Sequence, residues 1–150
     1  MKATFVMGLP GAGKSTYCRE KLSGLIINRD GIRTMLYGKY NYIKEDEPMI
    51  FEMTIHLAKS AIIGHDKNII IDETGANVAH RMRWCEVLRN VCKINAIYIN
   101  TPLETCIKRR IADNKGLDTN WENVIRTMHS GYKKPTLAEG FSKITEIKGW

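Results

Sequence analysis

The chain has 150 residues, the length of one domain with a core large enough to need no disulfide or metal staple. Its 43% hydrophobic and 26% charged residues are ordinary for a soluble globular protein, and the absence of a long apolar run excludes a membrane-spanning reading. The net charge of +7 points to an anionic partner, either nucleotide or nucleic acid, with plain solubility as the alternative. The apolar stretch after Lys2 runs straight into a glycine-rich loop, so Ala3 to Met7 is expected as a buried strand and not a signal peptide. Lys14 to Leu22 follows as a helix, Leu25 to Asn28 as a strand and Arg29 to Leu36 as a short helix. Tyr37 to Glu47 is polar and aromatic, a loop, and Pro48 opens a long helix to about Gly64.

Asn68 to Asp72 is expected as the third strand. Val78 to Val91 is expected as a helix with Val78, Met82, Cys85, Leu88 and Val91 on its apolar face. Ile94 to Ile99 forms a fourth strand, Pro102 starts a basic helix to about Asn114, and Trp121 to Ser130 forms another. Phe141 to Lys148 is a last short strand, paired either within the chain or with a neighbouring copy, which leaves a homo-oligomer open. This alternation describes one α/β domain over residues 1–150, an open parallel sheet flanked by helices with its sites at the carboxyl ends of the strands. Cys18, Cys85, Cys92 and Cys106 form no CxxC pair, and the four histidines show no metal-ligand spacing. Reduced thiols without an export signal imply a cytoplasmic protein.

The most specific motif is Gly8-Leu9-Pro10-Gly11-Ala12-Gly13-Lys14-Ser15, a full GxxxxGK[ST] pattern between an expected strand and an expected helix. Gly8, Gly11, Ala12 and Gly13 let backbone N–H groups turn inward on phosphate oxygens, and the helix N-terminus adds positive potential. Lys14 should reach the β- and γ-phosphates, Ser15 should hold Mg²⁺ through its hydroxyl, and Thr16 is placed for the α-phosphate. Asp30, after the second strand, can accept a proton from an attacking hydroxyl or cap the next helix. Asp72 ends the third strand as in a Walker B element and can hold a magnesium-bound water, while Glu73 and Thr74 face the acceptor side. Lys108, Arg109 and Arg110 cannot all face one ligand on a helix, so one arginine is expected to clamp a phosphate.

In this order and spacing, GLPGAGKST, INRDGIR, IIIDETGANVAHRMRW, ETCIKRR and NVIRTMHSGY resemble the kinase domain of phage-type polynucleotide 5′-hydroxyl kinases, over about residues 1 to 132. The resemblance implies a P-loop kinase fold with a helical lid near residues 102–118, and transfer of the ATP γ-phosphate to the 5′-hydroxyl of DNA or RNA in end repair. It makes Asp30 the general base, Arg33 a ligand of the acceptor's 3′-phosphate, and Arg109 the lid arginine on the transferring phosphate. Glu73 stands where the family usually has aspartate, with a side chain long enough to reach toward Arg33. A second lid arginine expected one turn after Arg109 is replaced by Asp113. Lys115 is the nearest basic residue, a point charge without the bidentate fork. No DxDGT-like motif of the phosphatase domain carried by some members occurs in the sequence.

Two other readings compete. One is a P-loop kinase for a small hydroxyl compound such as a nucleoside, sugar or antibiotic, with Asp30 in the same role. The other is a nucleotide-binding repair or regulatory protein without catalysis, which has no need of a base or a lid arginine. Tyr37, Tyr40 and Tyr42 can stack on bases of a nucleic acid, or pack as ordinary loop tyrosines.

Overall fold

A strand buried on both faces by crossover helices reads as a continuous apolar run, and three of the strands do so. The computed structural model describes residues 2–114 and 118–150. Strand β1 (Lys2–Met7) leads through the glycine-rich loop into α1 (Lys14–Lys21), then β2 (Leu25–Ile27), α2 (Arg29–Tyr37) and α3 (Glu47–Lys59), which continues as a π turn over Ser60–Gly64. β3 (Ile69–Asp72), α4 (Val78–Leu88), β4 (Lys93–Asn100), α5 (Leu103–Ala112), α6 (Trp121–Gly131) and β5 (Lys143–Lys148) complete the order. The sheet runs β2-β3-β1-β4-β5, and every neighbouring pair is parallel.

The two-residue period of β1 divides its side chains between two cores. Ala3, Phe5 and Met7 enter one with Phe51, Ile69, Ile71, Trp84 and Leu88. Val6 enters the other with Leu9, Cys18, Ile70, Ile99, Ile107 and Ile125. Phe5 is fully buried and meets Phe141 edge-on at 6.2 Å. Burial of such a ring contributes about 1.5–3 kcal/mol. Among the described residues no helix is long and apolar enough to cross a membrane.

Three expectations change. β5 begins at Lys143 and pairs with β4 of the same chain from Asn95↔Lys143 to Asn100↔Lys148, so its partner is intramolecular. The expected apolar face of α4 is rotated: Met82 is 47% exposed, while Trp84 and the whole of Arg81 are buried. Arg81 can sit there because its guanidinium forks onto Glu139 at 2.6 and 3.1 Å and also donates to the carbonyls of Gly75 and Lys133. α4 stops at Leu88, so Cys92 lies beyond the helix and not on its face. Helix α2 reaches Tyr37, one residue further than the sequence implies, because Gly38 closes it at φ 74°, a left-handed C-terminus that costs glycine nothing.

Candidate active site

Strands β1, β2, β3 and β4 end on one edge of the sheet, and each delivers polar groups there. The loop after β1 turns tightly at Gly8 and Gly11, with φ 154° and 81°. A Cβ at Gly8 would stand 2.6 Å from the Ile99 carbonyl oxygen, and one at Gly11 would collide with the backbone of Cys106, so only glycine fits. The loop is tied on both sides. The Gly8 N–H donates to the Thr74 carbonyl at 3.1 Å, and the buried Thr101 hydroxyl donates to the Ala12 carbonyl at 2.8 Å.

Lys14 curls back over this loop and donates to the Leu9 carbonyl at 2.9 Å. Desolvation of its ammonium brings the pKa down to about 8, against the opposing pull of Asp72. The Ser15 hydroxyl donates to Asp72 at 2.7 Å. These two oxygens, beside a cradle for phosphate, are the hard donor set that Mg²⁺ takes when it keeps most of its waters. Asn28 uses both ends of its amide: its oxygen accepts from the Gly31 N–H at 3.2 Å as the cap of α2, and its nitrogen donates to the Asp72 carbonyl at 3.1 Å. Asp30 is therefore not the cap, and its carboxylate is free for another partner.

That partner is Arg33, which donates to Asp30 at 2.5 Å and forks onto Glu47 at 2.8 and 2.6 Å. The fork holds the Arg33 pKa above its usual range and the Glu47 carboxyl below its own. Glu73 does not reach Arg33. It is buried between Arg29 at 2.8 Å and His80 Nε2 at 2.5 Å. Glu47 takes the Arg33 position because Pro48, in the first turn of α3, brings that helix start against α2.

A cavity of about 530 Å³ joins these walls. Pro10, Lys14, Ser15 and Asp72 line one side, and Asp30, Thr34 and Tyr40 another. Glu73, Thr74 and Asn28 form its floor, and Arg110 and Trp121 face them. The Arg110 guanidinium sits 4.0 Å from the centre of the Trp121 ring, a cation–π contact between α5 and the start of α6. Arg109, one residue earlier, points elsewhere: it donates to the main-chain oxygen of Trp150 at 2.9 Å, beside Gly13. The 100° turn per residue separates the two arginines, as the sequence requires, but the cavity holds Arg110. Of the three tyrosines, Tyr40 lines the cavity, Tyr37 donates to Asp46 at 2.6 Å, and Tyr42 lies under Arg33 at 5.6 Å. Thr16 sits near the rim of the loop, with Arg19 donating to its hydroxyl at 3.5 Å. Lys115 lies outside the described residues.

A family model described as an AAA domain matches residues 4–135. One chain in the structure of a Pnkp1/Rnl/Hen1 complex is 25% identical, with a TM-score of 0.64 over 72% of this chain and 39% of that one. A chain of the Pnkp1/Rnl/Hen1 RNA repair complex is 22% identical, with a TM-score of 0.75 over 87% of this chain and 43% of that one. The protein thus spans less than half the length of either. The APS kinase CysC of Mycobacterium tuberculosis, solved with AMPPNP and APS, is 16% identical, with a TM-score of 0.63 over 97% of this chain and 87% of that one. The five-stranded parallel sheet with flanking helices is the P-loop kinase-like fold of these structures. With residues 4–135 inside the family model, the chain belongs to the AAA domain family.

Proposed function

We propose that the protein transfers the γ-phosphate of ATP to the 5′-hydroxyl end of DNA or RNA. The observation that carries this reading is the single cavity with Lys14 and Ser15 on one wall and Asp30 on another. A triphosphate in the loop presents its terminal phosphorus to that cavity, and an acceptor hydroxyl enters beside Asp30. The Asp30 carboxylate takes the hydroxyl proton as the oxygen bonds to phosphorus, and the bond from phosphorus to the β,γ-bridging oxygen breaks, releasing ADP. Lys14 and an arginine of α5 offset charge on the transferring oxygens, Arg109 by the resemblance and Arg110 by its place in the cavity. Mg²⁺, held by Ser15 and through water by Asp72, supplies further charge neutralisation on the phosphates when bound.

Three observations favour a nucleic-acid acceptor. The motifs follow the polynucleotide kinase order from residue 1 to about 132, the net charge is +7, and the structure at 25% identity belongs to a complex named with Pnkp1. In this reading Arg33 binds the acceptor's 3′-phosphate, Glu73 and Thr74 flank the acceptor, and Tyr40 offers a face to a base. A small-molecule acceptor is the second reading. It is favoured by Arg33 itself, whose forked partner Glu47 and second partner Asp30 leave it neutralised. An acceptor series separates the two. A 5′-hydroxyl oligonucleotide should be labelled from ATP, should lose labelling steeply with added salt, and should outcompete a free nucleoside. Labelling of nucleoside or sugar with none of the oligonucleotide establishes the second reading instead.

A further inference from the structure

The chain after β5 folds back over the phosphate loop. Gly149 adopts φ 71°, a left-handed turn that swings Trp150 off the end of the strand. The Trp150 indole N–H then donates to the Gly13 carbonyl at 3.2 Å, and its Cδ1 stands 2.6 Å from where a Cβ on Gly13 would be. Tyr17 meets the indole edge-on at 5.2 Å, and the Lys21 ammonium lies 5.4 Å from its centre. Arg109 completes the group from α5, bonded to the Trp150 main-chain oxygen.

This cluster lies outside the cavity that holds Asp30, Ser15 and Asp72. A triphosphate is a linear chain, so if its terminal phosphate faces that cavity, the ribose and base leave the loop at the opposite end. The rim there, at Gly13, carries an indole and a guanidinium. A flat aromatic surface beside a planar cation is the chemistry that takes a purine face, by stacking and by cation–π attraction. We infer that Trp150 forms the stacking wall for the base of the nucleoside triphosphate, with Arg109 at its edge.

The inference rests on the reading that residues Gly8 to Ser15 bind a nucleoside triphosphate, and the test separates the two. ATP and inorganic tripolyphosphate are titrated, with Mg²⁺, into the full chain and into Trp150→Phe and Trp150→Ala, with affinity from calorimetry and tryptophan fluorescence as a second signal. Trp150→Ala should bind ATP roughly tenfold or more weakly than wild type, the effect of losing one base–aromatic stack. Trp150→Phe should recover most of that loss, and tripolyphosphate should bind all three proteins alike. ATP should quench wild-type fluorescence in excess of Trp150→Phe, whose remaining indoles are Trp84 and Trp121. In transfer assays the alanine variant should raise KM for ATP with kcat unchanged. Equal loss of ATP and tripolyphosphate affinity would reduce Trp150 to a brace for Gly13, and no loss of either would remove it from the site. Either result overturns the inference while leaving the loop reading intact. Failure of wild type to bind both probes overturns the loop reading, and the inference with it.

Discussion

The Ser15 hydroxyl donates to the Asp72 carboxylate across 2.7 Å, joining the first turn of α1 to the end of β3. Neither residue needs the other for the fold, since each belongs to an element packed by other side chains. Their meeting is therefore a functional signature, and it yields the first prediction. Ser15→Ala should lower Mg²⁺-dependent transfer about a hundredfold or more, in line with several kcal/mol of metal-mediated charge stabilisation. Its melting temperature should stay within a few degrees of wild type. Steady-state rates across a Mg²⁺ titration, beside thermal melts, check both halves.

Lys14 gives a pH prediction. Its folded pKa near 8 lies below the ordinary 10.5, so the unfolded chain holds more protons between those values. Stability of the nucleotide-free protein from this group therefore rises with pH across that window. Nucleotide binding runs the other way. The triphosphate prefers the charged ammonium, so affinity should fall as pH rises through about 8, approaching tenfold per unit above it. Calorimetric titrations in buffers of different ionisation enthalpy should register proton uptake on binding, and Lys14→Met should abolish it.

Arg81 lies at 0% exposure, forked onto Glu139. It holds the Gly75 carbonyl at 2.7 Å, next to Thr74, whose own carbonyl accepts from Gly8 N–H and from Tyr132 at 2.6 Å. Arg81→Leu leaves Glu139 buried without a partner and should cost about 3–5 kcal/mol in denaturant unfolding. Replacing both partners by apolar residues should recover much of that loss.

The sheet was legible in the sequence because its cause is local. Runs such as NIIID and INAIYI can only be strands buried on both faces, and the glycines of the loop announce their own geometry. The loop, Asp30, Asp72 and Thr74 were legible for the same reason: each immediately follows a strand. Partnerships that depend on how helices dock were not. Glu73 stands beside the expected acceptor pocket, yet it pairs with Arg29 and His80, because α4 carries His80 across it. Arg33 belongs to Glu47, fourteen residues away across a loop whose path has no sequence signature. Arg81 reads as a surface residue until Glu139, 58 residues on, is folded against it. The pairing of Arg110 with Trp121 likewise needs α5 and α6 packed together.

Glu47 competes with any phosphate for Arg33. Glu47→Gln removes the charge while keeping the side chain's length, so it should lower KM for an acceptor bearing a 3′-phosphate severalfold. The KM for an acceptor without one should stay unchanged. Initial rates on matched dinucleotide and nucleoside acceptors decide this, and equal effects on both would place Glu47 in scaffolding alone.

The central claim is that Asp30 activates a 5′-hydroxyl for attack on the terminal phosphate bound at Lys14 and Ser15. The most direct measurement is single-turnover transfer from γ-labelled ATP to a 5′-hydroxyl oligonucleotide by wild type and Asp30→Asn, with the 5′-phosphorylated oligonucleotide as control. The account predicts labelling of the 5′-hydroxyl strand alone by wild type, and a loss of about 10²–10⁴ in rate for Asp30→Asn with ATP affinity retained. Full transfer by Asp30→Asn, or no labelling of the 5′-hydroxyl strand by wild type, would contradict it.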